Sequence, residues 1–452
     1  MPYEGEFAGY SSLRRIVQSE RVKKLLGTYK IRDAADSLGS LQILEPVSIE
    51  PSDWKPKILI AIDGSHAEVS IKNGFPGAEA AYINVVSLIL DIEKMRELDQ
   101  KRPVNPQKFK KTQEAEPSID CALPGCNVIS EGESSAEASL RKAVFEVFKI
   151  HKMSDDGESL LDTYEALLKH KPDTERKQKC PYEDCPIDAN YPRGTNQYSC
   201  SCIFSRPLYS TDALRFHERM VPAGTNGAIF SEIMQTLERV WVIHILRTME
   251  AQKWLPTLRR LAIVLDGPLA VFGQPAWISQ AIRKELYRLN DLVRKATGGK
   301  DILLIGVEKT GQFVQHFEDI DRNSEGVSGV FPKQAVGLLT DSYIKKNIIF
   351  SEGTKMYGDA TYFGRKFFYK TKSGARLVAS LPFLKEDHRD MTRAEQSQYP
   401  RLADAIGLLD QLVSSRFANA FTPLVVANSE AAIPLSLGKK VLEGLAKELM
   451  TE

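Results

Sequence analysis

The chain has 452 residues, 42% of them hydrophobic and 26% charged, a composition typical of a globular protein large enough for two or three structural units. Lys and Arg number 60 against 59 Asp and Glu, for a net charge of +1, so any surface for a polyanion must be a local patch. No apolar run approaches the roughly 18–20 residues needed to cross a bilayer, and the opening Met-Pro-Tyr-Glu-Gly-Glu lacks the basic and apolar regions of a signal peptide. The expectation is a cytoplasmic protein with no membrane partner, whose six cysteines serve as metal ligands or buried thiols before disulfides.

In chain order, residues 1–56 read as a helical segment. Leu13, Ile16, Val17, Val22 and Leu25 recur at helical spacing until Gly27, and a second short helix is expected over 31–38. A strand meander follows over 57–90. Its first strand is apolar from Ile58 to Ile62 and ends in Asp63-Gly64-Ser65; a second spans 66–72, a turn falls at 73–77, and a third strand covers 80–90. Residues 91–227 read as an insertion. It begins as a loop, basic over 101–111 and polar over 114–118, and continues as helices at 135–151 and 162–170.

Within that insertion, residues 180–202 form a small module. Cys180 and Cys185 precede a polar loop that leads to Cys200 and Cys202. Two close cysteine pairs suit a tetrahedral thiolate site, so structural Zn²⁺ is expected on Cys180, Cys185, Cys200 and Cys202. The second pair has one intervening residue where zinc ribbons usually have two. Cys121 and Cys126 have no second pair nearby and are expected to stay unligated.

A long helix over 228–252 leads into a strand over 259–266, apolar from Leu261 to Leu265 and ending in Asp266 before Gly267-Pro268. A helix over 279–296 and a buried strand over 301–307 follow, an order that implies parallel pairing through a crossover. Residues 334–349 read as helical, 363–369 and 375–381 as a hairpin, 402–416 as a helix, 423–427 as a short strand and 438–450 as a closing helix. The fold class is α/β: an RNase H-like mixed sheet, an antiparallel meander plus parallel strands, flanked by helices and carrying a small zinc-binding insertion.

In that architecture the first and fourth strands are neighbours, and here both carry an aspartate, Asp63 and Asp266. A buried carboxylate needs compensation, and divalent cations prefer several oxygen ligands. The third acid is expected on the long helix. Glu238 shares a face with Met234, Trp241, Val242 and Ile245, whereas Glu232 has polar neighbours and reads as a surface residue, and Glu250, near Arg247, reads as an exposed pair. Asp341 reads either as a fourth acid or as a helix cap. Lys345, Lys346, Arg365, Lys366 and Lys370, interleaved with Tyr362, Phe363 and Tyr369, read either as a nucleic-acid surface or as a solvated hairpin face. His66, three residues after Asp63, is within reach of the acids but reads rather as a surface residue or one that supports the site, and His217 and His244 read as helical packing or surface positions.

Ile62-Asp63-Gly64-Ser65, Leu237-Glu238-Arg239 and Leu265-Asp266-Gly267-Pro268-Leu269, in this order, resemble the NurA family of nucleases over residues 57–435. Ile305-Gly306-Val307-Glu308-Lys309, Phe367-Phe368-Tyr369-Lys370 and Pro423 to Asn428 resemble later segments of that family. The resemblance implies an RNase H-like nuclease domain at 57–90 and 228–435, with 91–227 inserted, 1–56 ahead of it and a C-terminal helix at 436–452. It implies a homodimeric deoxyribonuclease that uses Mn²⁺ or Mg²⁺ and works on DNA with a HerA-type hexameric ATPase, in end processing for repair or in anti-phage defence. Asp63, Glu238 and Asp266 would hold the metal, Tyr369 and Asn428 would join them in catalysis, and Lys309, Arg365 and Lys370 would meet the substrate. Asn428 departs from the family, which has a histidine there; asparagine can only hydrogen-bond or offer a neutral oxygen. A catalytically weakened scaffold docked on the ATPase ring, and a nucleotidyl-transferring enzyme using the same acids, stay open as rival readings. No Gly-x-x-x-x-Gly-Lys-Ser/Thr loop is present, which argues against intrinsic ATP hydrolysis.

Overall fold

A computed structural model of the chain describes residues 10–29, 38–71, 76–97, 113–171, 178–182, 184–189, 196–322, 329–414, 419–433, 441–442 and 444–445. The helix expected over 31–38, the tip of the turn at 73–75, the basic stretch 101–111 and most of the helix at 438–450 lie outside these residues. The chain divides into two compact units, Met1–Ser40 and Leu41–Glu452. Among its described residues the first has two helices, Ser11–Gln18 and Glu20–Leu26, where the sequence pattern suggests one. Ser19 separates them: its extended backbone breaks the first helix, and its side chain caps the second by accepting the Val22 N–H.

The second unit is built on a nine-stranded mixed sheet. In chain order its strands are β1 (Gln42–Leu44), β2 (Ile58–Ser70), β3 (Glu79–Asp91) and β4 (Gln113–Pro124), then β9 (Leu261–Asp266), β10 (Leu304–Glu308), β11 (Val336–Leu338), β12 (Gly364–Lys370) and β13 (Arg376–Pro382). The strands between, β5 (Gln178–Lys179), β6 (Asp188–Ala189), β7 (Gln197–Ser199) and β8 (Pro207–Tyr209), form two separate two-stranded ribbons. The order across the large sheet is β1-β11-β12-β13-β10-β9-β2-β3-β4.

The strands β2, β3 and β4 are an antiparallel meander. β9 pairs parallel with β2, and β10 pairs parallel with β9. Third, second, first, fourth and fifth strands in that spatial order are the expected RNase H-like core. The antiparallel run β13, β12, β11 and β1 extends it.

β9 is apolar at each position before Asp266 because both faces of the sheet are covered. Leu261, Ile263 and Leu265 enter one core; Ala262 and Val264 enter the other. The first core is filled by the long helix Gly227–Ala251, by the helix Ile278–Thr297, and by helices Ala136–Ile150 and Leu160–Leu168. The last two belong to the stretch read as an insertion, yet Phe145, Phe148 and Tyr164 share one core with Trp241 and Leu265. The second core takes the helices Leu402–Leu412 and Thr422–Ala431.

Several elements differ from the sequence reading. The segment 1–56, read as helical, includes β1, which pairs with β11. β2 is one strand of 13 residues that continues through Asp63-Gly64-Ser65, so Asp63 sits mid-strand and not at a strand end. β4 occupies part of the stretch expected to be a loop. Residues 334–349 divide into β11 and a short helix, Asp341–Asn347, capped by Thr340. The stretch 423–427 is helical: Pro423 occupies the first turn, where its missing N–H has no intrahelical partner to lose.

Candidate functional site

Asp63 and Asp266 come together because β2 and β9 run parallel with Ile62 opposite Leu265, which makes the two aspartates the next residues along neighbouring strands. β10 continues the arrangement. Val307 pairs with Asp266, and two residues later Lys309 turns back over both acids. Its Nζ lies 3.2 Å from Asp63 Oδ2 and 3.1 Å from Asp266 Oδ2. The side chain of Asp63 is 3% exposed and that of Lys309 34%.

Glu238 approaches from the long helix, where it is buried as its apolar neighbours predict. It forms an ion pair with Arg239. Arg239 in turn donates to the carbonyls of Gln235, Asp266, Pro268 and Ala270. The guanidinium therefore fixes the loop that follows β9. Gly267 is suited to that loop because it adopts a positive φ of 82°.

Gly64 lets Glu238 reach the sheet. A Cβ there would lie 2.5 Å from Glu238 Oε1 and 3.0 Å from Met234 Cγ. Gly64→Ala is expected to displace Glu238 or the helix and to cost about 1–3 kcal/mol, read as a lower chemical-denaturation midpoint. An unchanged midpoint would show that Glu238 moves aside freely.

The electrostatics are those of acids short of positive charge. Burial, then the like charge of Asp266, pushes Asp63 up to about 8, against the opposing pull of Lys309. Burial likewise pushes Glu238 up to about 7; Arg239 opposes the shift and Asp266 adds to it. For Lys309, burial disfavours the ammonium, but Asp266 and Asp63 outweigh it and raise its pKa.

Asp63, Asp266 and Glu238 offer the oxygen ligands that hard divalent cations prefer. The ammonium shared by both aspartates shows that the place between them accepts a cation. Among the described residues, the ligand atoms that lie within 4.8 Å of one another as a group of three are the thiols of Cys180, Cys185 and Cys200. The carboxylates do not form such a group; Lys309 bridges the two aspartates and Arg239 pairs with Glu238.

The structure does not bring the other expected residues to these acids. Tyr369 is buried on β12, and its hydroxyl donates to Asp410 at 2.7 Å. Arg365 is buried too and donates to the carbonyls of Asp390, Leu339 and Arg393. Lys370 bonds Asp321 at 2.6 Å and the Phe331 carbonyl at 2.9 Å. Lys366 pairs with Glu308 at 2.8 Å and lies over the Phe313 ring. Arg365, Lys366 and Lys370 of the cluster read as a nucleic-acid surface are therefore internal and partnered, every residue of β12 being buried, whereas Lys346 is exposed on the helix Asp341–Asn347.

Asn428 is exposed on the helix Thr422–Ala431. Just past that helix the Ile433 N–H meets Ser65 Oγ at 3.5 Å. Among the described residues its side chain makes no bond to the acids. Asp341 pairs with Lys345 at 2.8 Å and accepts the Tyr357 N–H. Glu232 accepts the Gln274 N–H and pairs with Arg219, and Glu250 forms a two-pronged pair with Arg288. The Glu250 pair is exposed, with Arg288 and not Arg247 as its partner, whereas Glu232 is more enclosed than a surface residue.

Sequence reasoning did not anticipate Arg239 as the organiser of the site. The signal was an arginine next to Glu238 on the same buried helix.

In the cysteine module, Cys180 Sγ lies 3.7 Å and Cys185 Sγ 3.5 Å from Cys200 Sγ. Cys202 is buried in the same small cluster. Arg141 anchors the module. It forms a buried pair with Asp212 at 2.7 Å, donates to the Pro207 carbonyl and lies over the Tyr182 ring. Cys126 donates to the Pro222 carbonyl, away from this cluster.

A family model described as the NurA domain matches residues 57–415. Among solved structures, the chain is similar to the crystal structure of the NurA nuclease from Sulfolobus solfataricus, at 9% identity and a TM-score of 0.36, with 98% of each chain covered. It is also similar to a crystal structure of NurA, at 10% identity and a TM-score of 0.24, again with 98% of each chain covered. No curated protein matches it.

Proposed function

The chain belongs to the NurA domain family, and from that we propose that it is a divalent-cation-dependent nuclease that hydrolyses the phosphodiester bonds of DNA. The observation that carries this reading is the convergence of Asp63 and Asp266, from adjacent parallel strands, on one cationic position between them. Asp63 and Asp266, with Glu238 as the third acid, would hold the ion. Mn²⁺ or Mg²⁺, when bound, supplies a Lewis acid for the phosphoryl oxygens and makes water acidic enough to yield a nucleophile.

The chain's own residues do the positioning. Arg239 locks Glu238 and the turn after β9 into one unit, so the third acid and Asp266 keep a fixed separation. The low exposure of Asp63 keeps bulk water from its carboxylate. Lys309, the partly exposed cation at the site, is the group available to meet a phosphate.

The test is incubation of purified protein with a linear duplex and with single-stranded DNA, in chelator, Mg²⁺ or Mn²⁺. Degradation that needs the cation supports the reading, and intact DNA under every condition contradicts it. A homodimeric state and a HerA-type hexameric ATPase partner, acting in end processing or anti-phage defence, belong to the same proposal; family membership supports them. Co-elution with such an ATPase on size exclusion tests the partnership.

The cysteine module is read as a structural zinc site, with Cys202 as fourth ligand to Cys180, Cys185 and Cys200. The clustered thiols favour this, and so does a hydrophobic cluster too small to be stable alone. Elemental analysis is expected to find one zinc per chain, lost together with module order in Cys200→Ser; a metal-free chain with freely reactive thiols would contradict it.

A further inference from the structure

We propose that Lys309 is a built-in, displaceable counter-cation. It occupies the cationic position between Asp63 and Asp266 in the metal-free protein, and its departure sets how tightly that position binds a divalent ion. The inference rests on the metal-site reading above and adds a role for Lys309 that a purely phosphate-binding lysine would not have.

The two cations of the site are held in different ways. Arg239 is almost fully buried, and besides Glu238 it bonds four backbone carbonyls; moving it away would break all of these contacts at once, so it is fixed. Among the described residues, the Lys309 ammonium bonds only the two aspartates, at 3.2 and 3.1 Å, and its side chain is one-third exposed. It follows the last residue of β10, at the start of a turn, on a flexible four-carbon stem that can swing into solvent without breaking a backbone bond.

The Asp63 and Asp266 oxygens that face Lys309 are among those a divalent ion would need. A metal and the ammonium therefore cannot both have them. Until a metal arrives, the ammonium prevents two adjacent carboxylates, one of them buried, from standing uncompensated. The consequence is a trade between metal-free stability and metal affinity.

Mn²⁺ titration by calorimetry, with thermal denaturation of the metal-free protein, tests this on wild type, Lys309→Met and Lys309→Arg. Lys309→Met is expected to bind Mn²⁺ at least about tenfold more tightly and to melt at a lower temperature when metal-free. Lys309→Arg, which keeps the charge, is expected to stay within a few-fold of wild type. Affinity in Lys309→Met equal to or weaker than wild type overturns the inference.

A second readout needs no variant. Acylation of Lys309 by an amine-reactive reagent, followed by mass spectrometry, is expected to rise when Mn²⁺ is added to wild type; an unchanged rate in a chain that demonstrably binds Mn²⁺ also overturns it. Asp63→Asn separates the two levels. Wild-type binding that this variant loses, with no effect of Lys309→Met, defeats the counter-cation role alone. Absence of Mn²⁺ binding in wild type defeats the metal site and this inference together.

Discussion

Asp63→Asn is expected to lower cation-dependent DNA hydrolysis by about 10³-fold or more while leaving the chain folded. A metal clamp stabilises a phosphoryl-transfer transition state by several kcal/mol, and each 1.36 kcal/mol is a factor of ten in rate. Asparagine keeps the shape of the side chain but removes the charge that an ion needs. The stability side has the opposite sign. Asp63 is buried beside Asp266 and Glu238, and burial is the main reason its pKa is pushed up to about 8. A neutral isostere removes that desolvation cost, so the thermal midpoint should equal or exceed that of wild type. Asp266→Asn should lose activity equally. Initial rates on linear DNA and a melting curve measure both halves. Either variant with more than a tenth of wild-type activity removes the aspartate pair from the chemistry, and a variant inactive only because it has unfolded makes the pair structural.

Arg365→Met is expected to destabilise the protein by about 3 kcal/mol and to leave the DNA affinity of the folded fraction unchanged. The side chain is among the largest fully buried ones in the chain. It ties three carbonyls together, those of Leu339 after β11 and of Asp390 and Arg393 in the loop after β13, and it lies over the Tyr399 ring. Methionine fills similar volume but donates to none of those oxygens; the Asp390 carbonyl keeps the Gln398 side-chain amide, and each buried acceptor left unpaired costs about 1–3 kcal/mol. The denaturation midpoint and a DNA-binding isotherm separate the two roles. Unchanged stability with weakened DNA binding would return Arg365 to the substrate surface on which its sequence neighbours suggested it.

That contrast shows what the sequence could reveal. The aspartate strands were legible because β2 and β9 are buried on both faces, which leaves unbroken apolar runs with a charge among them. Glu238 was legible as a carboxylate in an apolar helical stripe. The extent of β2 was not, because Gly64 looks like a breaker. Its role is to make room for Glu238, and the strand continues past it. β4 was hidden because it pairs only with β3, at the edge of the sheet, where backbone bonds hold polar residues in place. The charges of β12 misled for a related reason. A charged, aromatic strand reads as a solvated face, but β12 lies between β11 and β13, and its cations are buried against Asp321, Glu308 and carbonyls far away in sequence. Nothing local to β12 announces those partners. The helix Thr422–Ala431 looked like a strand because a short apolar run carries no period; its proline at the first turn was the clue.

The most direct measurement of the central claim is anomalous diffraction from crystals grown with Mn²⁺. An ion at coordinating distance, roughly 2 Å, from carboxylate oxygens of both Asp63 and Asp266, with the Lys309 ammonium moved off them, is the predicted result. At saturating Mn²⁺, an absence of density at that position, with Lys309 still bridging the two aspartates, would contradict it.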